Sequence, residues 1–552
     1  MADLSYLKRY IFPFEFGIFL KLCQRQPMKK NNLSILLFSI CYALFAQGSG
    51  PFVKNFQQAS GSSKFNALLP LTDGGFLLAG TCPDSAGTTD ALILRTDASG
   101  NSIWSKKYGK KGFNEEILAA KVHPSSGFAL SGFLERRVGP NQNIREDMLL
   151  LLLDANGEIQ LAKSIGDDND DERASALKVD AGGFFLIGKT MSDSAAYMAP
   201  CVFRLDGSGN YISHNLVEDQ DDDDYLLSWA PTSDGGFIGC GSTRSYGVGN
   251  GHIYLIRYNA QGDVLWTKTH AAPGKKSLAA SIIPVSQGAF MIAGYAEVSN
   301  GQPGSSFDLL AMKINEDGDS IWSRCYGNAG EERATSISAT SDGGFVLAGF
   351  AKDNGGSSDV MLVRINANGD TLWTRKHGSS GNDAANAVSV LQDGSIVWAG
   401  QWDNNGAVLY KCNADGTGCF STNASAGIFT TGFQREIFNN PVLHLVNPHS
   451  RNDTLDLAGT AGFENLCINS VGELVQPAEE LLVYPNPATN QFHIKSREII
   501  QSVQLTDPAG KTCLFFRGSC NAFLLTENNP GIFFLKINTA SGAHVKKIMI
   551  QK

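Results

Sequence analysis

The chain lacks the signatures that usually announce an enzyme. Its 552 residues hold no HExxH and no GxSxG, and its nine histidines are scattered. No motif therefore points to a zinc protease or a nucleophile-elbow hydrolase. The cysteines never pair as CxxC, which removes the usual spacing of a zinc site. Lysine and arginine form no stripe and the formal net charge is −9, so the electrostatic footprint of a nucleic-acid partner is missing. A helical 3.6-residue apolar period is missing too.

Glycine, in contrast, is plentiful, at 59 of 552 residues, above the usual share of about 7%. Much of it recurs in one phrase: a turn such as Asp-Gly-Gly, then Phe, a few aliphatics, a small residue and Gly. The phrase ends at Gly80, Gly132, Gly188, Gly241, Gly294, Gly349 and Gly400, at intervals of 52, 56, 53, 53, 55 and 51 residues. Two units depart from it: Ser125-Ser126 replaces Asp-Gly in the second, and Ala181 follows Asp180 in the third. A fixed period of this size marks a propeller, a solenoid or an array.

The unit from 334 to 378 decides among them. ATSISAT alternates, and Ser341-Asp342-Gly343-Gly344 is a tight-turn signal, because Gly tolerates positive φ and Asp accepts local backbone hydrogen bonds. GFVLAG and DVMLVRIN are apolar runs too short for helices. A second hairpin turn, Asn366 to Gly369, leads into DTLWTRKHG. Four antiparallel strands in about 53 residues make one propeller blade. Trp104, Trp266, Trp322 and Trp373 share one place after that second turn. Packing between blades is their first reading and ligand stacking the lesser one.

The inner strands look alike in every unit, and seven can be counted. An orphan strand near Phe52, resembling a fourth strand, precedes the first, and the last unit is incomplete. Pairing the two closes the ring and removes sheet edges. The expected fold is all-β: a seven-bladed β-propeller of four-stranded blades over 48–420, with the fourth strand outermost and eight blades as the alternative count. A connector with short strands follows over 421–480, then a small Ig-like β-sandwich over 481–552, read from short alternating strands between Pro/Asn/Gly turns.

Residues 1–47 read as a leader. Lys29 and Lys30, an apolar stretch at 33–45 and Ala46-Gln47 match a secretory signal peptide at 28–46 with Met28 as the true start. The alternative is an uncleaved anchor using 10–23. The stretch at 33–45 is too short to read as a transmembrane span, and none is expected in the mature chain. Beyond the leader, a disulfide is expected among Cys412, Cys419 and Cys467, or between Cys513 and Cys520.

The last 72 or so residues carry four blocks: Tyr484-Pro485-Asn486-Pro487, Asp507 to Gly510 before Lys511, Gly531-Ile532-Phe533-Phe534, and Lys546-Lys547-Ile548. In order and spacing they resemble the type A C-terminal sorting domain of the type IX secretion system of Bacteroidota. The resemblance implies passage across the outer membrane, the secretion machinery as a partner, and a secreted or surface-attached product. The repeats resemble those of secreted bacterial propellers, a likeness that implies no reaction.

Two acidic clusters stand at equivalent crossovers between units: Asp167, Asp168, Asp170, Asp171 and Glu172, then Asp219 with Asp221, Asp222, Asp223 and Asp224. A solvated rim is their first reading. A calcium site is the second, since hard cations want several oxygens together, and a catalytic carboxylate pair is the last; no other cofactor is expected. Asp90, Asp147, Asp308 and Asp359 open third strands and read as turn or cap residues. The chain is thus expected to be a non-enzymatic, exported binding or scaffold module for a surface glycan or protein. The alternative is a propeller enzyme acting on glycan or peptide at the channel mouth.

Overall fold

The computed structural model describes residues 50–56 and 62–424, apart from 125–126, 140–141, 192–196, 218–221, 247–250, 272–274, 299–305, 329, 353–355 and 405, and beyond 424 the strands named below. The leader expected at 1–47 lies outside the described residues.

Seven sheets of four blade strands each make the propeller. In the first blade the order from axis to rim is Lys64–Pro70, Phe76–Pro83, Thr89–Thr96 and Ser102–Gly109, all antiparallel. The second and third strands are almost wholly buried in every blade, as strands packed on both faces must be.

The repeat glycine answers to one geometric demand. Each innermost strand carries a β-bulge beside the residue that pairs with that glycine: Phe65 with Gly80, Ile117 with Gly132, Ala174 with Gly188, and so on to Ala385 with Gly400. A Cβ on any of the seven would collide with a backbone carbonyl oxygen of the innermost strand, that of Arg333 in the case of Gly349. A bulge re-aims the strand it interrupts, and only a residue without a side chain lets its neighbour come so close.

The ring closes as the orphan strand suggests. Phe52–Phe56 pairs antiparallel with Gly406–Cys412 as the fourth strand of the seventh blade. Its Phe52, Val53 and Phe56 are buried. Phe52 also covers Gly100 of the first blade, the part that Trp104, Trp266, Trp322 and Trp373 play against Gly157, Gly318, Gly369 and Gly416 of the blade that follows each. These glycines hold φ between 74° and 79°, or 85° at Gly369, so each indole seals a left-handed hairpin turn of its neighbour.

The expectation that the fourth strand is outermost needs amending. Ser421–Asn423, Gly427–Thr430, Gln434–Phe438, His449–Asn452, Asp456–Gly459 and Glu464–Ile468 each add a fifth, antiparallel strand. They join the sixth, fifth, fourth, second, first and seventh blades in that order. The chain thus turns back and runs round the rim as a belt, from blade six down to blade one and on to blade seven. Its last strand lies against Phe52–Phe56.

The chain divides into two units between Asn469 and Ser470. In the second, Leu482–Tyr484, Gln491–Lys495 and Ala522–Leu524 form one sheet, and Thr512–Arg517, Ser502–Thr506, Gly531–Asn538 and Ala543–Ile550 another. Ile494, Val503, Leu505, Phe533, Leu535 and Ile537 are buried there. Among the described residues no helix is long and apolar enough to cross a membrane.

Candidate functional site

The two faces of the ring are built differently. On one lie the tight hairpins. Asp73, Asp234 and Asp342 accept a backbone N–H two residues on and pair with Arg95, Arg257 and Arg364, buried arginines on the third strands. The arrangement thus recurs in blades one, four and six, and Asp393 with Lys411 takes its place in blade seven. The other face carries the connections from second to third strand and the crossovers between blades. In blade two the connection is a protruding hairpin: Gly127–Val138 and Asn143–Asp154 stay paired as far as Val138 and Asn143, where the sequence suggests a loop over 133–146.

That hairpin meets the first acidic cluster. Arg136 Nε lies 2.6 Å from Asp147 Oδ2, its Nη1 lies 2.9 Å from Asp168 Oδ1, and its Nη2 donates to the Asp167 carbonyl oxygen at 2.6 Å. Asp167 Oδ1 accepts the Asn169 N–H at 2.9 Å. Asp171 Oδ1 accepts the Glu146 N–H at 2.9 Å, and its Oδ2 lies 3.8 Å from Arg145 Nη1. Asp170 is buried. In the second cluster, Asp223 Oδ1 accepts the Met198 N–H at 3.0 Å and Arg244 stands 3.5 Å from its other oxygen. Asp224 is buried and accepts the Arg244 N–H at 2.8 Å. Asp219 and Asp221 lie outside the described residues. The acids thus tie the first crossover to the preceding blade and the second to the blades on both sides of it. Among the described residues no group of three or more His, Cys, Asp or Glu is placed to hold a metal ion.

The inner strands resemble one another at their bulges but not at their ends. The residues whose carbonyls face the seven glycines are Lys64, Glu116, Arg173, Tyr225, Leu278, Arg333 and Ala384. Lys64 Nζ lies 2.8 Å from Glu116 Oε1. Arg173 pairs with Glu146 and lies 4.2 Å over the Phe133 ring. Arg333 lies 4.4 Å over Tyr295 and 4.7 Å over Phe307. These side chains are 30–40% exposed at the two arginines, so the long-loop face offers cation–aromatic pairs that water still reaches.

Asp90, Asp147 and Asp308 are no turn caps. They are buried at the joints between blades, each opposite an acid that opens the next blade's inner strand: Glu115, Glu172 and Glu332. Asp383 takes that place opposite Asp359. The signal that could have found them is the constant separation, 24 or 25 residues in each pair.

Cys412 is a buried free thiol, as are Cys82, Cys201, Cys240 and Cys325, whereas Cys419 is disulfide-bonded. Burial pushes the thiols of Cys82 and Cys412 up to about 12, which leaves them protonated and unreactive. In the second unit Tyr484 ends the Leu482–Tyr484 strand, Gly531 opens Gly531–Asn538, and Lys546 and Lys547 pair with Leu535 and Phe534. Pro485, Asn486, Pro487 and Gly510 lie outside the described residues.

Residues 482–551 match the family described as "Secretion system C-terminal sorting domain". A curated relative, "Regulatory protein FlaEY" of Caulobacter vibrioides, is 24% identical over 184 residues, 29% of this chain and 19% of that protein, so the chain matches only a minor part of its relative's length. Among solved structures, a glucose dehydrogenase is 10% identical with a TM-score of 0.32, covering 66% of this chain and 100% of its own. Sqt1 from Chaetomium thermophilum is 12% identical with a TM-score of 0.32, covering 64% and 85%. Likenesses this weak carry no argument about activity. The sorting domain and the ring together establish the chain as an exported seven-bladed β-propeller, destined for the cell surface or the medium through type IX secretion.

Proposed function

We propose that the exported ring is a non-enzymatic binding or scaffold module whose partner, a surface glycan or protein, docks on the long-loop face. The observation that carries this reading is the difference between the faces. The tight-hairpin face repeats one Asp–Arg arrangement in blades one, four and six, with Asp393 and Lys411 in its place in blade seven, which leaves little to distinguish one partner from another. The long-loop face changes at every blade and presents Arg173 over Phe133 and Arg333 over Tyr295 and Phe307. Binding residues favour loops held by a rigid scaffold. Its carboxylates are engaged by Arg136, Arg145, Arg244 and backbone N–H groups, which fits a recognition surface better than a catalytic pair.

The test is a pull-down with the full chain against a panel of polysaccharides and surface proteins, repeated with R173A/R333A and with D342N on the opposite face. Partners lost with the first variant and kept with the second support the reading. Partners kept with the first and lost with the second overturn it, as does turnover of a panel substrate.

A further inference from the structure

Four of the seven joints between blades bring two acids face to face. Asp90 on the third strand of blade one faces Glu115 on the inner strand of blade two. Asp147 and Glu172 stand likewise between blades two and three, Asp308 and Glu332 between five and six, and Asp359 and Asp383 between six and seven. All but Asp359 are buried. Each pair closes on the glycine that ends a fourth strand. A Cβ on Gly166 would lie 2.5 Å from Glu172 Oε2 and 2.6 Å from Asp147 Oδ1, and one on Gly327 would lie 2.6 Å from Asp308 Oδ1 and 2.7 Å from Glu332 Oε2. Gly109 and Gly378 sit in the same way beside Asp90 and Asp359.

The acids also hold the start of each crossover. The backbone N–H after the glycine donates to the inner-strand acid: Lys110 to Glu115 at 3.2 Å, Asp167 to Glu172 at 3.4 Å, Asn328 to Glu332 at 3.2 Å and Ser379 to Asp383 at 2.6 Å. The charged groups around them only partly compensate. Asp84, Asp90 and Glu135 crowd Glu115, while Lys107 acts on Asp90. Asp147 and Asp170 crowd Glu172, with the Thr190 hydroxyl donating to it and Arg136 engaging Asp147. Glu332 faces Asp308, with the Ser306 hydroxyl beside it. Asp359 faces Asp383, which the Ser379 hydroxyl and the Asp403 N–H also reach. Two carboxyl groups this close and this dry do not both ionise easily, and one proton between them relieves the repulsion.

We propose that these joints are proton-operated clamps: with the proton in place they bind neighbouring blades together beneath the long-loop face, and its loss loosens the ring there. Burial, with the facing acid adding to it, pushes Asp308 up to about 7, Glu115 up to about 8 and Glu172 up to about 9. Each is therefore protonated in the folded ring over a range where it is ionised in the unfolded chain, and folding takes up protons across that range. Stability from the clamps is full below the ordinary carboxylate values and is lost as pH rises through 7 to 9. Three joints supply an internal control: His252 with Ser277, Ala199 with Asp224, and Gly406 with Ser63 occupy the same places without a second acid.

The experiment follows thermal unfolding of the full chain from about pH 5 to about pH 9, beside the variant E115Q/E172Q/D308N. The wild type should lose stability towards alkaline pH and the variant should show a flatter profile. Hydrogen exchange, corrected for its intrinsic pH dependence, should rise at the four acid joints and stay level at the other three. A variant with the wild-type slope, or a wild type whose stability is flat or rising, overturns the proposal. Should the variant fail to fold, the infrared carboxylic-acid band of the folded wild type at neutral pH decides: its presence supports the shared protons and its absence refutes them.

Discussion

The blades and the belt around them both advance one step per blade, yet they leave very different traces in the sequence. In the blades, every step repeats a glycine against a bulge, and several repeat an indole over a left-handed turn or an aspartate inside a hairpin. The belt meets the ends of the fourth strands at Gly427 against Gly327, Gln434 against Ala271, His449 against Gly166 and Asp456 against Gly109. Those contacts fall 7, 15 and 7 residues apart, the double step spanning blade three. No residue type recurs at them. The belt's ladder uses backbone groups that every residue but proline supplies, so its regularity is spatial and imposes nothing on side chains. A repeat becomes legible only where packing or a special φ forbids substitution.

Four perturbations would break or sharpen that contrast. The largest effect is expected from deleting residues 48–58. Phe52, Val53 and Phe56 are buried, and burying such side chains stabilises by about 1.5–3 kcal/mol each. That sum approaches the whole margin of a typical fold, so the deletion should abolish cooperative thermal unfolding; an unchanged melting temperature would refute the closure.

Next comes Gly349→Ala. Its Cβ would strike the Arg333 carbonyl, and forced overpacking costs about 1–3 kcal/mol. A urea midpoint within error of wild type would show that the bulge yields more easily than the fit suggests.

Excising 421–468 should cost less than deleting the first strand. Belt hydrogen bonds each contribute about 1 kcal/mol or less net of solvation, and ordering the segment offsets part of it. A melting temperature a few degrees lower, with faster exchange along the fourth strands, is the expected outcome. A collapse as complete as that of the first deletion would make the belt a core element.

The smallest effect is expected from Asp342→Asn, which weakens the pair between the exposed Asp342 carboxylate and the buried Arg364 guanidinium at a cost below about 1 kcal/mol. Hydrogen bonds from Thr340 and the Gly344 N–H hold Asp342 down to about 2. Its small contribution is thus present above the ordinary carboxylate value and lost as pH falls towards 2. Acid titration of wild type and variant should converge; a persistent gap at low pH would refute that origin.

Much of this architecture was readable beforehand. The blade count followed from the glycine phrase, and closure from the likeness of the Phe52–Phe56 strand to a fourth strand. Indole packing followed from four tryptophans at one repeat position. The candidate site was less legible. Asp167 and Asp168 suggested a solvated rim, but their partner Arg136 sits on a hairpin that only the pairing of Val138 with Asn143 brings over them. The facing acids were hidden for a related reason: a separation of 24 or 25 residues means contact only once two blades stand side by side. Residues 421–468 hid best, since nothing in a four-residue strand such as Asp456–Gly459 says which edge it will meet.

The position of the Phe52–Phe56 strand also sets a clock. Its two neighbours, Gly406–Cys412 and Glu464–Ile468, are made some 350 and 400 residues after it. At synthesis rates of about 5–20 residues per second, the strand waits on the order of 20–80 s before both partners exist. A chain broken off anywhere before 464 leaves that strand with one side open. A shut ring therefore certifies that synthesis has passed the seventh blade.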